Sequence, residues 1–497
     1  TGEYAGKHYI SLFAGQEIQE RTAYNSFNYS PVFDEEHRIV GFPEMDDIDG
    51  SEINYSALGG TGKSVSKMSS FFANASYSYL DKYILTGALR YDGSDIIGND
   101  NQFTPLWNVG LRWNLHREEF MKRWMWVDQF AVRGGFGYTG SIDKNALPFV
   151  VMTLGQSVIY DGQTVPTSFS YPNPNVKWQT KQDMNVGLDL SLFDYRLELG
   201  VNYYNNITRD VLDRKALPYS SGRSEVTENV ADIYNSGWEI DLGVTLLKNK
   251  SFQWYAKANI AINDNKVKNT YYKDTKDLPK ATLSNAHQFV ENQPVNGWYG
   301  YKFAGINPIN GAVMTYTGNG EATLDMSVSG ATWPIPSVFY LGNLTPPVVG
   351  GFSTSANWKQ LIFSANFEFK TGHKIKSFNT FRSLDARNRH TSEANRWREP
   401  GDITNVPAMS EAFTTYSSYM YDILLEKGNY LRCSYMTLGY NLKPEWLHKI
   451  GFSTARLSFT AKDLFTVSSY SGIDPALMGS FGYPNSRKYT ITLNVGF

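Results

Sequence analysis

The chain has 497 residues, a formal net charge of −2 and 41% hydrophobic residues. Near-neutral charge removes any electrostatic case for nucleic acid. One cysteine, Cys433, removes an internal disulfide framework and any Cys-rich metal site, leaving Cys433 to be read as a small apolar strand residue. The mean hydropathy of −0.38 suggests a water-soluble protein. It is also what a transmembrane barrel gives, because only alternate residues of each strand meet lipid and the loops are polar. The 33 Tyr, 29 Phe and 12 Trp fit the second reading, since amphipathic rings favour membrane–water boundaries.

Thr1 onward carries no charged-then-apolar leader, so an export signal is expected in sequence upstream of Thr1. No apolar helix spans a bilayer: the longest uncharged stretch, Met326 to Trp358, is interrupted by Pro334, Pro336, Pro346 and Pro347. Period-two segments predict instead about 14 strands of about ten residues, each long enough to cross tilted. In chain order the clearest apolar rows are Phe71-Ala73-Ala75-Tyr77, Leu85-Gly87-Leu89-Tyr91, Trp107-Val109-Leu111-Trp113 and Phe130-Val132-Gly134-Phe136. Met184-Val186-Leu188-Leu190-Leu192 follows, then a turn at Asp194 and Leu197-Leu199-Val201-Tyr203. Trp238 to Leu246, Trp254 to Ile262, Leu361 to Phe369 and Ala455 to Ala461 repeat the pattern. The chain ends on Tyr489, Ile491, Leu493, Val495 and Phe497, an alternating row with a terminal aromatic, as in the closing strand of an outer-membrane barrel.

Charges separate a membrane wall from chance alternation. Arg90, Arg112, Arg133, Asp189, Glu198, Glu239, Asp241, Lys257, Glu368, Arg456 and Lys462 all fall in the polar rows. An Arg or Lys facing mid-bilayer costs about 2–4 kcal/mol, so several misplaced charges would cancel the stability of a domain. Connections alternate too. Short ones follow Tyr79, Phe193, Leu246 and Trp358; long ones follow Gly15, Tyr138, Tyr204, Asn263 and Lys370. Tight periplasmic turns and large extracellular loops have this asymmetry, which a soluble sandwich gives no reason for.

Several motifs imitate other chemistry. Ala57-Leu58-Gly59-Gly60-Thr61-Gly62-Lys63-Ser64 nearly spells a P-loop, but an acidic stretch precedes it and alternation follows, so it reads as a loop. Gly135 to Gly140 spells G-x-G-x-x-G without the amphipathic helix a dinucleotide needs, and reads as a strand with its exit turn. Glu44, Asp46, Asp47 and Asp49 could hold calcium, although Met45 and Ser56 break the EF-hand template. The seven histidines show no metal-ligand spacing, and spacing supports no Ser-His-acid site. Neither cofactor, metal nor catalytic residue is expected. Trp298, Tyr299, Tyr301, Trp397, Tyr416, Tyr419 and Tyr421 crowd the long loops; these rings are candidates for contacting ligand or partner, with loop packing as the alternative.

The ordered motifs resemble one family. Asn173-Pro174-Asn175-Val176-Lys177-Trp178 leads to Asn185-Val186-Gly187-Leu188-Asp189-Leu190, then Thr208-Arg209-Asp210-Val211-Leu212 and Asn235-Ser236-Gly237-Trp238-Glu239. Tyr299-Gly300-Tyr301, Arg396-Trp397, Asn429-Tyr430-Leu431-Arg432, Thr437-Leu438-Gly439-Tyr440 and Tyr470-Ser471-Gly472-Ile473-Asp474-Pro475 follow in order. Together with Arg90-Tyr91-Asp92-Gly93-Ser94 and Gly137-Tyr138-Thr139-Gly140, they resemble the SusC/RagA family of TonB-dependent outer-membrane transporters along nearly the whole chain. Asp463 stands where that family usually has Asn, and Ala476 where an acidic residue is common.

The resemblance implies an all-β, antiparallel transmembrane barrel of about 22 strands, plugged by an N-terminal domain. Residues 1–497 would be its C-terminal part, with the plug and about eight strands elsewhere in the polypeptide. It also implies a location in the bacterial outer membrane, in contact with lipid, and membership of the Bacteroidota. The expected partners are a SusD-like surface lipoprotein as lid, and TonB with ExbB/ExbD acting through the plug. The expected function is energised import of an oligosaccharide or oligopeptide. A self-contained diffusion channel and an outer-membrane enzyme are the alternatives.

Overall fold

The computed structural model describes residues 2–4, 6–28, 32–33, 39–41, 59–97, 101–142, 152–160, 163–169, 177–216, 220, 225–271, 273–275, 289–324, 338–376, 394–408, 421–447, 451–478 and 483–497. Fourteen long strands make one antiparallel sheet: β1 His8–Asn28, β2 Gly59–Tyr79, β3 Tyr83–Ser94, β4 Phe103–Asn114, β5 Val127–Ser141, β6 Gln179–Leu192 and β7 Leu197–Ala216, then β8 Glu225–Lys248, β9 Phe252–Lys268, β10 Val348–Trp358, β11 Leu361–Thr371, β12 Tyr430–Asn441, β13 Thr454–Ser468 and β14 Lys488–Gly496. Each pairs with the next in sequence, and Gly2–Tyr4 adds a three-residue strand on the outer side of β1. This up-and-down order is the one a transmembrane barrel requires, because every main-chain group in hydrocarbon must find its partner on a neighbouring strand. Among the described residues no helix is long and apolar enough to cross a membrane.

Register joins like to like across the sheet. Leu190 pairs Leu199, Leu199 pairs Leu242, Leu242 pairs Ala258, Ala258 pairs Phe352 and Phe352 pairs Phe367. One residue along, Asp189 pairs Gly200, and the row continues through Asp241, Asn259, Gly351, Glu368 and Arg432. A slip of one residue would put those charges on the apolar face, so alternation fixes the register. The apolar rows are open to the surroundings: Leu111 is 62% exposed, Leu89 53%, Ile491 75% and Leu493 62%. Such a surface is tolerated only against lipid. Tyr489 and Val495 lie on the same exposed row of β14, and Phe497 follows the strand, 92% exposed.

Short connections gather at one end, with an aromatic belt. Tyr83 stacks on Trp113, Trp124 on Trp126 and Trp126 on Phe193. Leu80 and Asp81 (φ 55° and 51°) turn β2 into β3, the left-handed pair that matches strand twist in a tight hairpin. Between β4 and β5, Glu118 accepts from Tyr83 Oη at 2.6 Å, Lys82 Nζ at 3.0 Å and Trp113 Nε1 at 3.1 Å. These hydrogen bonds, Tyr83 first, hold its carboxyl at about 2 against an ordinary 4.5. A depressed carboxyl stabilises this turn above its unfolded pKa, and the contribution fades as pH falls towards the folded value. Carboxyl NMR should place the Glu118 midpoint near 2, and Tyr83→Phe should move it back towards 4.5.

At the opposite end the strands overrun their expected length. The long connection expected after Gly15 begins only after Asn28, and the one after Tyr204 only after Ala216. Past the bilayer both faces of a strand are wet, so Gln16 to Arg21 pair in the ladder without alternating. The run Gly59 to Ser64, expected as a loop, is likewise paired to Ala23–Asn28 inside β2. Gly135 to Gly140 lies wholly within β5, with no exit turn.

Candidate functional site

The polar face is knitted together rather than merely polar. Arg112 Nη1 reaches Asp189 at 2.8 Å, Arg133 Nε lies 3.5 Å from the same carboxylate, and Arg133 Nη1 donates to Asn202 at 3.3 Å. Asn202 donates on to Glu239 at 3.2 Å, so one polar chain crosses β4 to β8. Gly187 makes room for it: a Cβ there would lie 2.6 Å from the Arg133 guanidinium carbon. A second cluster centres on Arg90, which donates to Asp92 at 2.6 Å, Ser70 at 2.9 Å and Glu17 at 3.0 Å.

Arg432 and Asp474 join two of the motifs that carry the family resemblance. Arg432 Nη2 donates to Asp474 at 2.5 Å, Arg432 Nε to Thr466 at 3.1 Å, and the Ala476 N–H caps the same carboxylate at 2.9 Å. Both side chains are buried. The pair pins the segment after β13 against the wall.

The loops at the extracellular end form a small core of their own. Tyr299, Tyr301 and Tyr421 are 2%, 1% and 2% exposed, packed with Val290, Ile306, Val313, Val338 and Leu424. Tyr301 bridges Tyr421, Phe303 N donates to Asp422 Oδ1 at 2.9 Å, and Asp422 N to Tyr301 O at 3.1 Å. Segments on either side of β10–β11 thus close into one cap.

This burial is the loop-packing alternative for Tyr299, Tyr301 and Tyr421. Tyr301 packs on Tyr421 and Tyr299 on Tyr340, with ring centroids 6.0 and 5.9 Å apart. Trp298 and Trp397 are half-buried, and each donates its indole N–H inward, to Lys374 O at 2.8 Å and Pro308 O at 3.1 Å. Gly311 (φ +70°) lies under Trp397, where a Cβ would come within 2.5 Å of the indole. Tyr416 and Tyr419 lie outside the described residues, as do Glu44, Asp46, Asp47 and Asp49. Among the described residues no group of His, Cys, Asp and Glu could hold a metal.

Between cap and wall lies a cleft of about 520 Å³, within the range that takes small ligands. Thr208, Asn235, Asn263 and Asn265 line it from β7, β8 and β9; Asn292, Asn296, Tyr340 and Asn343 line it from the cap. Pro294, Pro346 and Pro347 form apolar walls. Burial pushes the Tyr340 phenol up to about 12 and that of Tyr299 higher still, so both remain protonated. The asparagines are scattered over some 110 residues of sequence, and only strand register brings them together.

Comparison with known proteins agrees with this architecture. A family model described as TonB dependent receptor-like, beta-barrel, matches residues 4–370. The TonB-dependent receptor P3 of Formosa agariphila is 28% identical over 99% of this chain and 51% of its own length. The TonB-dependent receptor SusC of Bacteroides thetaiotaomicron is 23% identical over 86% of this chain and 43% of its own. Among solved structures, the RagAB peptide importer in its open-open state superposes with a TM-score of 0.79 at 24% identity, over 99% of this chain and 53% of that one. The chain spans about half the length of the curated relatives it matches. With an apolar belt for lipid, a polar face opposite and a family match over most of its length, the chain belongs to the TonB-dependent receptor β-barrel family of the outer membrane.

Proposed function

We propose that this chain forms most of the wall of an active importer that takes up an oligosaccharide or oligopeptide through the outer membrane, and that it is not an enzyme. The observation carrying this reading is the polar face, with its linked chain from Arg112 through Arg133, Asp189 and Asn202 to Glu239 and its separate cluster at Arg90, behind a lipid-exposed apolar face. A wide barrel lined this way would leave an aqueous hole, and a plug is the physical remedy. The remaining N-terminal part of the polypeptide supplies that plug and about eight strands, which pair with the free edges at β14 and Gly2–Tyr4. A SusD-like lipoprotein closes the extracellular mouth above the cap. TonB with ExbB/ExbD displaces the plug.

Deleting TonB should reduce uptake to background with normal receptor levels. Uptake unchanged without TonB refutes the importer and favours a diffusion channel. Residues 1–497 expressed alone should give no heat-resistant barrel and no conductance in a planar bilayer; a stable pore from this chain would remove the need for further strands.

A further inference from the structure

The hydrogen bonds around the cleft assign which end of the amide is left for a ligand at four asparagines, while Asn296 is the reverse, its Nδ2 donating to Thr345 Oγ1 at 3.2 Å. The Val295 N–H can only donate, and it donates to Asn265 Oδ1 at 2.7 Å. Asn265 must therefore present its Nδ2 to Asn235 Oδ1, at 2.6 Å. The Lys268 ammonium likewise can only donate, and it occupies Asn292 Oδ1. Tyr204 Oη donates to Asn263 Oδ1 at 2.7 Å, and Tyr340 Oη to Asn343 Oδ1. In Asn235, Asn263, Asn292 and Asn343 the oxygen is engaged within the protein, and the NH₂ group remains.

Charge tilts the same way. Asp264 is the one acidic side chain of the described lining, and it is paired to Lys266 at 2.7 Å. Lys268 adds a positive charge behind Asn292. The three prolines contribute no N–H and no charge. Four side-chain NH₂ groups against the single amide oxygen of Asn296, with Lys268 behind Asn292, suit oxygens that accept and do not donate. A neutral sugar fits poorly, because each hydroxyl also needs an acceptor.

We propose that this cleft binds a carboxylate-bearing ligand, its oxygens held by the side-chain amides of Asn235, Asn263, Asn292 and Asn343. The carboxylate can belong to a peptide C-terminus or to a uronic acid. The assignment rests on the import reading only in taking the ligand to arrive from outside.

The test uses the full-length receptor purified from the outer membrane, titrated by calorimetry with trialanine, digalacturonate and maltotriose. At least one acidic probe should bind, and maltotriose should not. Binding of trialanine alone or of digalacturonate alone supports the site and names the source. In the double variant Asn263→Asp/Asn343→Asp each tyrosine still has its acceptor, while both NH₂ donors become carboxylate oxygen. The dissociation constant for the acidic probe should then rise by about tenfold or more. Asn292→Leu, which removes a donor without adding charge, should weaken it in the same direction. No binding of either acid, unchanged binding in both variants, or maltotriose binding as tightly as the acids overturns the assignment. TonB-dependent uptake that persists in such a case leaves the importer standing and removes only this site.

Discussion

Leu242→Arg should cost about 2–4 kcal/mol of barrel stability, whereas Asp241→Arg, one residue away, should cost about 1 kcal/mol or less. Leu242 sits in an apolar row between Leu199 and Ala258 and is 38% exposed, while Asp241 lies between Gly200 and Asn259 on the polar face. The same guanidinium thus meets hydrocarbon in one variant and water in the other. Urea unfolding of the full-length receptor in lipid vesicles, followed by tryptophan fluorescence, measures both. Equal losses would mean that the two faces do not differ in solvent, and the membrane orientation of the whole sheet would fall with that result.

Asp474→Ala should destabilise the segment after β13 by about 3 kcal/mol, the lower end of the range for stranding one member of a buried ion pair. Arg432 is 4% exposed and would keep Thr466 at 3.1 Å, Glu368 at 3.9 Å and the Tyr430 ring at 5.4 Å. Glu368 is about half exposed and at the limit of ion-pair distance, so its compensation is weak. Asp474→Asn keeps both the contact to Arg432 and the acceptor for the Ala476 N–H, and should lose about half as much. Hydrogen exchange at Ala476 and Leu477 reads the local loss, and thermal unfolding reads whether the wall follows.

The wall was legible because the membrane writes it into every second residue. From Phe71 to Ile262 the apolar rows read from alternation are the rows that pair in the sheet, except that a bulge at Leu246 puts Leu247 opposite Trp254. Where lipid ends the signal ends, and the extensions of β1, β7 and β8 carried no pattern to read. Two bulges were also hidden. Asp210 and Asp463 adopt left-handed backbone (φ 56° and 50°) at register shifts, a conformation that Asp and Asn tolerate better than most residues. Asp463 in place of the family's usual Asn therefore keeps the geometry, and the extra residue returns Phe465 to the apolar row opposite Cys433. The loop aromatics left two readings open for a different reason. Composition gives a ring's identity, and its burial depends on partners such as Asp422, which lies 119 residues from Phe303.

That separation sets an order of events during biogenesis. The cap draws on chain from Val290 to Tyr421, so it has no complete interior until β10 and β11 have crossed between its halves. Its closure entropy must be met before its contacts reward it, and the flanking hairpin has to be inserted first to bring the ends together. The cap is accordingly a late milestone of maturation. A protease pulse during insertion would cut within residues 290–313 in unfinished molecules and spare those residues in finished ones.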